Sequence, residues 1–511
     1  MDSDEQDKID TRKEKIKNWL KNPYKLALVG ILIFAFAIRF YYFLLTTTQP
    51  LWWDEAVYGT LAKNIILGKW DGTLLILHET IIRPPLLPFL WSILLRLNIG
   101  EVGVRFLLEL LPSVISVFFV YLIGKELYNK KVGLISSFFF SVLWIHLFYT
   151  ARLLTSVPAM AFLFPSIYYF IKSQKTEFNA KYFGISIFLL SLSTLTRYPN
   201  GVFFLAYLLF LLITWKIDLS KNKKFWFAGI IGLLPLLIFF FFNYSIYGNI
   251  FPAFLGNDYV QSGAGSPKAP FAFHLLNFIP MYLKKSFLVL FFIGAAISLF
   301  ELVVGYDIIR KKQNLKSHLL TLLLLITIYS FFIFYLRVAE DRWLFPSALP
   351  LAIFVGFGIE RLYNFIKKYG KNIALILVLA ILAFGAYQQV THADSLIKNK
   401  KESFLQVRQG FEWIKFNTPE DSIISGNSIP PYATYYAERY YAEKDLVEPR
   451  NITELENADV DYFVLQAFTP IKNEEVAGYI QNNPDKWQPI NAFFFDNEQT
   501  QPALIIYKNV Q

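Results

Sequence analysis

The chain has no cysteine in 511 residues, which excludes disulfides and thiolate chemistry and leaves the redox compartment unreadable from this count. Charge is sparse: 17% of residues are Asp, Glu, Lys or Arg, against 55% hydrophobic and 18% aromatic, with 52 Phe and 30 Tyr. A mean hydropathy of +0.39 is too apolar for a water-soluble protein of this size and marks a polytopic membrane protein. No phosphate-cradling loop ending in Gly-Lys-Ser/Thr occurs, so nothing points to a nucleotide at the site. A cleavable leader is not expected either. The first apolar run follows about 25 charged and polar residues and continues for about 20, too long for a signal-peptide core, so it reads as a retained anchor.

Hydrophobic runs of spanning length lie near 26–45, 102–124, 132–149, 153–171, 182–197, 200–215, 225–246, 286–305, 318–336, 343–360 and 372–390. Basic clusters alternate with them, among them Lys13 to Lys25, Lys125 with Lys130 and Lys131, Lys172 with Lys175 and Lys181, and Lys367, Lys368 and Lys371. With eleven spans every such cluster falls on one side, which places a basic tail, residues 1–25, in the cytoplasm. The apolar stretch Leu86 to Leu97 would reverse that parity as a span, so it reads as a juxtamembrane or re-entrant helix in a first external loop of about 46–101.

The formal charge of +10 is unevenly spread: from residue 391 onward 11 basic residues face 18 acidic ones, leaving +17 for residues 1–390. The basic excess thus belongs to a membrane module, residues 26–390 with their tail, and is not a sign of nucleic-acid binding. Residues 391–511 turn acidic and polar and read as a separate extracytoplasmic α/β domain. A helical pattern runs through Phe411, Trp413 and Ile414, then come the apolar run Ser422-Ile423-Ile424, a helical candidate at Tyr432 to Glu438, and a strand candidate at Asp461 to Leu465. Its tyrosines Tyr432, Tyr435, Tyr436, Tyr440 and Tyr441 suit core packing, or contact with the membrane module, better than sugar stacking.

The runs 132–149, 182–196, 225–246, 318–336 and 372–390 carry no Asp, Glu, Lys or Arg. The ionisable residues gather instead at the expected outer ends, which suits chemistry at the outer leaflet better than a transport path at the midplane. Asp54 and Glu55 stand out there, in Trp52-Trp53-Asp54-Glu55-Ala56-Val57-Tyr58 beside the hydrocarbon boundary. A carboxylate can take the proton of an attacking hydroxyl; the alternative is a pair capping an interfacial helix. Arg83 precedes Pro84-Pro85-Leu86, where the prolines bias it to an extended backbone that aims its guanidinium at one point, and arginine matches phosphate geometry. Lys268 and Arg342 are further candidates for a donor phosphate, on other external loops. Arg39, His78, Arg152 and Arg197 complete the rim; Arg39, inside the first run, reads as snorkelling or carboxylate-paired in preference to substrate contact.

These residues resemble the lipid-linked-sugar glycosyltransferases of the GT-C fold, particularly the protein O-mannosyltransferase and aminoarabinose transferase superfamily. The resemblance extends over much of residues 20–390. Its carriers are the Trp-Trp-Asp-Glu segment, where the family has an Asp-Glu motif in the first external loop, and Arg83-Pro84-Pro85-Leu86, similar to the family's basic or His residue before Pro-Pro-Leu. Weaker echoes are Ala151-Arg152-Leu153-Leu154, Leu195-Thr196-Arg197-Tyr198-Pro199, Ala269-Pro270-Phe271 and Arg342-Trp343-Leu344-Phe345-Pro346. The resemblance implies a GT-C module of about 11 to 13 spans. It implies that Asp54 activates or positions the acceptor, and that Arg83 holds the donor phosphate. Arg83 stands where aminoarabinose-transferase relatives carry lysine, and Thr155-Ser156-Val157 replaces an acidic residue that relatives often have. The Trp-Trp-Asp-Tyr-Gly signature of oligosaccharyltransferases is absent from 391–511.

The expected activity is an inverting transfer of one sugar from a polyprenyl- or dolichyl-phosphate donor to a hydroxyl of a protein, lipid glycan or oligosaccharide, at the outer face of the cell membrane. No cofactor is required. Asp54 and Glu55 could supply oxygen ligands to a divalent metal, but two adjacent acids are a weak metal signature. The partners are the lipid-linked donor, the acceptor and membrane lipids, with no nucleic acid. The alternative is a lipid-linked glycan transporter or flippase, which would move its cargo without forming a glycosidic bond.

Overall fold

The computed structural model describes residues 21–67, 83–175, 177–216, 218–251, 270, 274–309, 311–336, 340–427, 430–441, 449, 451–468 and 474–510. They fall into two compact units, the first within residues 1–44, 105–151 and 155–397 and the second within residues 45–104, 152–154 and 398–511.

The first unit is helical. Among the described residues eight helices are long and apolar enough to cross a membrane, from Pro23–Leu45 to the one that begins at Lys371, and nine if one bent pair is a single span. The eleven expected runs are all helical, but two fall short of that standard. Residues 153–171 correspond to Ser156–Ser173, which holds Pro165 and several serines, and 182–197 to the 17-residue Ala180–Thr196. The run 132–149 is not one helix. Lys130–Val142 and Trp144–Thr150 meet at 54° around Leu143, whose extended backbone (φ −57°, ψ 116°) interrupts the ladder.

A helix break in hydrocarbon leaves backbone groups that other side chains must satisfy. The Trp144 N–H donates to Gln389 Oε1 at 3.0 Å, and Arg39 Nη1 donates to the Ser141 carbonyl at 2.9 Å. Ala348–Ile366 is the centre of this unit. From Ala348 to Ile359 it is apolar all round and buried without interruption, the pattern of a core helix. It crosses Ile279–Val304 closely enough that a Cβ on Gly294 would stand 2.1 Å from the Phe354 carbonyl oxygen, and one on Gly358 2.1 Å from that of Leu290.

The second unit has a five-stranded mixed sheet of β1 (Ile423–Gly426), β2 (Tyr440–Tyr441), β3 (Tyr462–Gln466), β4 (Trp487–Phe494) and β5 (Pro502–Asn509), in the order β2-β1-β3-β5-β4. β1 lies parallel to β2 and β3, whereas β5 runs antiparallel to β3 and β4, with Val464 opposite Ile506. β3 is buried along its whole length, as its unbroken Tyr-Phe-Val-Leu run requires. Phe463, Leu465, Val476, Ile480, Trp487 and Tyr507 form its core with the helix Glu474–Asn482. The helix expected through Phe411 to Ile414 is Leu405–Asn417, and the candidate at Tyr432 to Glu438 is a short turn, Pro430–Tyr432, followed by a wider one, Ala433–Ala437. Residues 45–104 contribute the helices Trp53–Ile66 and Leu86–Arg96; at 11 residues the latter is shorter than a spanning helix.

Candidate active site

Helix Trp53–Ile66 begins immediately after Pro50-Leu51-Trp52, so Asp54 and Glu55 occupy its second and third positions. Glu55 Oε2 accepts the Trp52 N–H at 2.6 Å, the carboxylate half of a capping box. Its other oxygen accepts the Leu153 N–H at 2.7 Å, and Arg152 Nη2 donates to Oε2. Glu55 and Arg152 are both 1% exposed, and the Arg152 guanidinium lies 3.5 Å from the centroid of the Trp52 ring. The capping alternative weighed for this pair thus describes Glu55, whose carboxylate ties the helix start to the segment 152–154.

Asp54 points elsewhere. Its Oδ1 is 3.0 Å from Arg83 Nη1, with 18% of each side chain exposed, so this pair is more accessible than the one between Glu55 and Arg152. Arg83 stands at the entrance to Leu86–Arg96, behind two prolines that fix its approach, and its guanidinium carbon is 5.6 Å from the Tyr58 ring centroid. Tyr58 was not singled out from the sequence, although it sits four residues after Asp54 and therefore shares its helix face.

Aromatic residues wall this site. Trp53 meets Tyr432 edge-on at 6.1 Å, Trp52 meets Phe404 at 6.2 Å, and Phe404 lies against Phe468 at 5.0 Å. The Tyr436 hydroxyl accepts the Leu51 N–H at 2.7 Å, and Lys63 Nζ donates to the Tyr435 carbonyl and to Glu438 Oε1, each at 2.7 Å. Tyr432, Tyr435 and Tyr436 therefore pack on the first-loop helix. Burial, and then the Glu55 charge, push the Tyr432 hydroxyl upward, so it stays protonated. Burial lowers the Lys63 ammonium against the opposing pull of Glu438.

In the helical unit, Arg197 and Arg342 come together. Arg197 Nη2 donates to the Arg342 carbonyl at 2.9 Å and Nη1 to Ser156 Oγ at 3.0 Å, while Arg342 Nε donates to Glu340 Oε2 at 2.8 Å. The Tyr149 hydroxyl, unmarked in the sequence, donates to Asp341 Oδ1 at 2.9 Å. Arg39 is a separate case. It is 1% exposed and does not snorkel, and among the described residues it meets no carboxylate: it bonds Ser113 Oγ, the carbonyls of Ala35 and Ser141, and His146 Nδ1 at 2.8 Å. Lys268 and His78 lie outside the described residues. Among the described residues no three His, Asp or Glu side chains are placed to hold one metal ion.

A family model described as dolichyl-phosphate-mannose-protein mannosyltransferase matches residues 82–241. A sequence search of curated proteins finds no match. Among solved structures, ArnT from Cupriavidus metallidurans bound to undecaprenyl phosphate aligns with a TM-score of 0.66 at 12% identity, covering 94% of this chain and 97% of that one. The archaeal oligosaccharyltransferase AglB from Archaeoglobus fulgidus, in complex with an inhibitory peptide and a dolichol-phosphate, aligns at 0.64 with 13% identity, covering 88% of this chain and 70% of that one. Identities this low speak for the fold alone, and with the eight apolar helices they make the chain a multi-pass membrane protein with the GT-C fold.

Proposed function

We propose that this protein transfers a single sugar from a polyprenyl- or dolichyl-phosphate donor to a hydroxyl acceptor at the outer face of the membrane, with inversion at the anomeric carbon. The observation that carries the reading is the partly exposed Asp54–Arg83 pair at 3.0 Å, beside a Glu55–Arg152 pair that is buried. Arg83 binds the donor phosphate and stabilises it as it leaves. An incoming phosphate competes with Asp54 for the same guanidinium. Donor binding therefore loosens the ion pair and frees the Asp54 carboxylate to accept a proton. The acceptor oxygen attacks the anomeric carbon, its proton passes to Asp54, and the carbon–oxygen bond to the phosphate breaks with its electron pair on the phosphate. Activation is carried by the lipid phosphate itself. Arg342 and Lys268 are secondary candidates for phosphate contact.

Support comes from the family model over residues 82–241 and from the fold shared with ArnT and AglB, whose structures hold undecaprenyl phosphate and a dolichol-phosphate. The test is to incubate purified protein with radiolabelled polyprenyl-phosphate sugars and a membrane extract, and to identify the labelled product. A new glycosidic bond supports the proposal. Relocation of intact donor across a vesicle membrane, with no product, would make the protein a transporter.

A further inference from the structure

A cavity of about 860 Å³ in the helical unit is lined by none of the candidate site residues. Five lysines face it: Lys125, at the end of Glu101–Leu127; Lys130 and Lys131, at the start of Lys130–Val142; and Lys172 and Lys175, at and just beyond the end of Ser156–Ser173. Tyr24, at the start of the first helix, closes another side. All of these positions are helix ends, where the apolar runs stop, so the cavity lies at headgroup depth.

The lining acids are Glu126 and Glu360, which leaves a net charge of +3. Glu126 is already shared: Lys172 Nζ lies 3.1 Å and Lys125 Nζ 3.9 Å from it, and Lys175 also bonds it. That one carboxylate gathers lysines from two segments without neutralising them. Lys130 and Lys131 are held over rings, 5.4 Å from the Tyr24 centroid and 4.9 Å from that of Tyr363. The N-terminus of the 13-residue helix they open adds its positive field, while the Asn129 side chain accepts the Lys131 and Val132 N–H groups.

We infer that this basin binds a phosphate-bearing anion with two or more negative charges, on the membrane face where the basic clusters gather. Lysines are compact charges with three donors each and suit an anion with many oxygens. A singly charged group would leave most of the mutual repulsion in place. Basic pockets between helix ends at this depth take lipid headgroups, and a soluble phosphate compound has the same chemistry. The inference does not depend on the glycosyltransferase reading.

The test uses the full-length protein in nanodiscs of phosphatidylcholine alone, with phosphatidylglycerol, or with cardiolipin, followed by native mass spectrometry of retained lipid. Cardiolipin should be retained about tenfold over phosphatidylglycerol, and Lys130→Gln with Lys131→Gln should remove that preference. Lys367→Gln with Lys368→Gln, a basic pair outside the cavity, should keep it. Lys175→Gln, at a half-exposed side chain, serves as a second variant, and thermal unfolding of each confirms that it is folded. Pyrophosphate titration separates the sources: binding that needs Lys130 and Lys131, without lipid enrichment, assigns the basin to a soluble phosphate. No enrichment and no pyrophosphate binding, or equal loss in both double variants, would overturn the inference.

Discussion

At the scale of single residues, neighbouring carboxylates have opposite circumstances. Glu55 is enclosed and accepts from Trp52, Arg152 and Leu153, whereas Asp54 is paired with Arg83 and keeps 18% of its side chain exposed. Glu55→Gln keeps the shape but leaves Arg152 charged and buried beside a neutral amide, and breaking such a pair costs about 3–5 kcal/mol. The variant should therefore show a large fall in thermal unfolding temperature in detergent, and Glu55→Gln with Arg152→Gln should recover part of it. Unchanged stability in Glu55→Gln would contradict the structural role. The sequence singles out Asp54 and Arg83 separately, in one expected external loop, and leaves their pairing unread. It does not show Glu55 with Arg152, residues 97 apart that only tertiary folding brings together.

Elements explain the next level of detail. Helix Trp53–Ile66 lies so close to the tyrosine turn that a Cβ on Gly59 would meet the Tyr435 ring at 2.4 Å and Trp91 at 2.8 Å. Gly59→Ala should destabilise the second unit by about 1–3 kcal/mol through overpacking, read as faster limited proteolysis between residues 398 and 511. On the same turn, burial raises the Glu438 carboxyl, but hydrogen bonds from Lys415 and Lys63 outweigh it and hold the group below its ordinary 4.5. A depressed carboxylate contributes stability that is present above the ordinary value and lost as pH falls through the folded one. Hydrogen exchange of residues 433–437 should therefore accelerate as pH falls through and below the ordinary carboxylate range, and Glu438→Gln should flatten that dependence. Long apolar helices are legible in the sequence because their runs are continuous. The break at Leu143 is not, since 132–149 is apolar on both sides of it. β4 and β5 also escape the sequence reading: Pro489 stands inside β4, and register shifts at Pro489/Asn491 and Phe493/Phe494 disrupt the alternation that marks a strand.

For the whole molecule, the account requires Asp54 and residues 398–511 to share the outer compartment. The cysteine-free chain makes this simple to examine. Single cysteines at Thr48 and Ser403 should react with an impermeant maleimide in intact cells, and one at Asn314 should react only after lysis. Protection of the Ser403 position in cells, with labelling in detergent, would mean that the span count is wrong by an odd number. The central claim is narrower: Asp54 is the base that accepts the acceptor's proton while Arg83 holds the donor phosphate. It is tested most directly by Asp54→Asn, assayed for sugar transfer from radiolabelled polyprenyl-phosphate donor and, separately, for donor binding. Transfer should fall by about 10²–10⁴-fold with donor affinity retained, because the amide keeps the shape and cannot take the proton. Near-normal turnover by a folded Asp54→Asn protein would contradict the account.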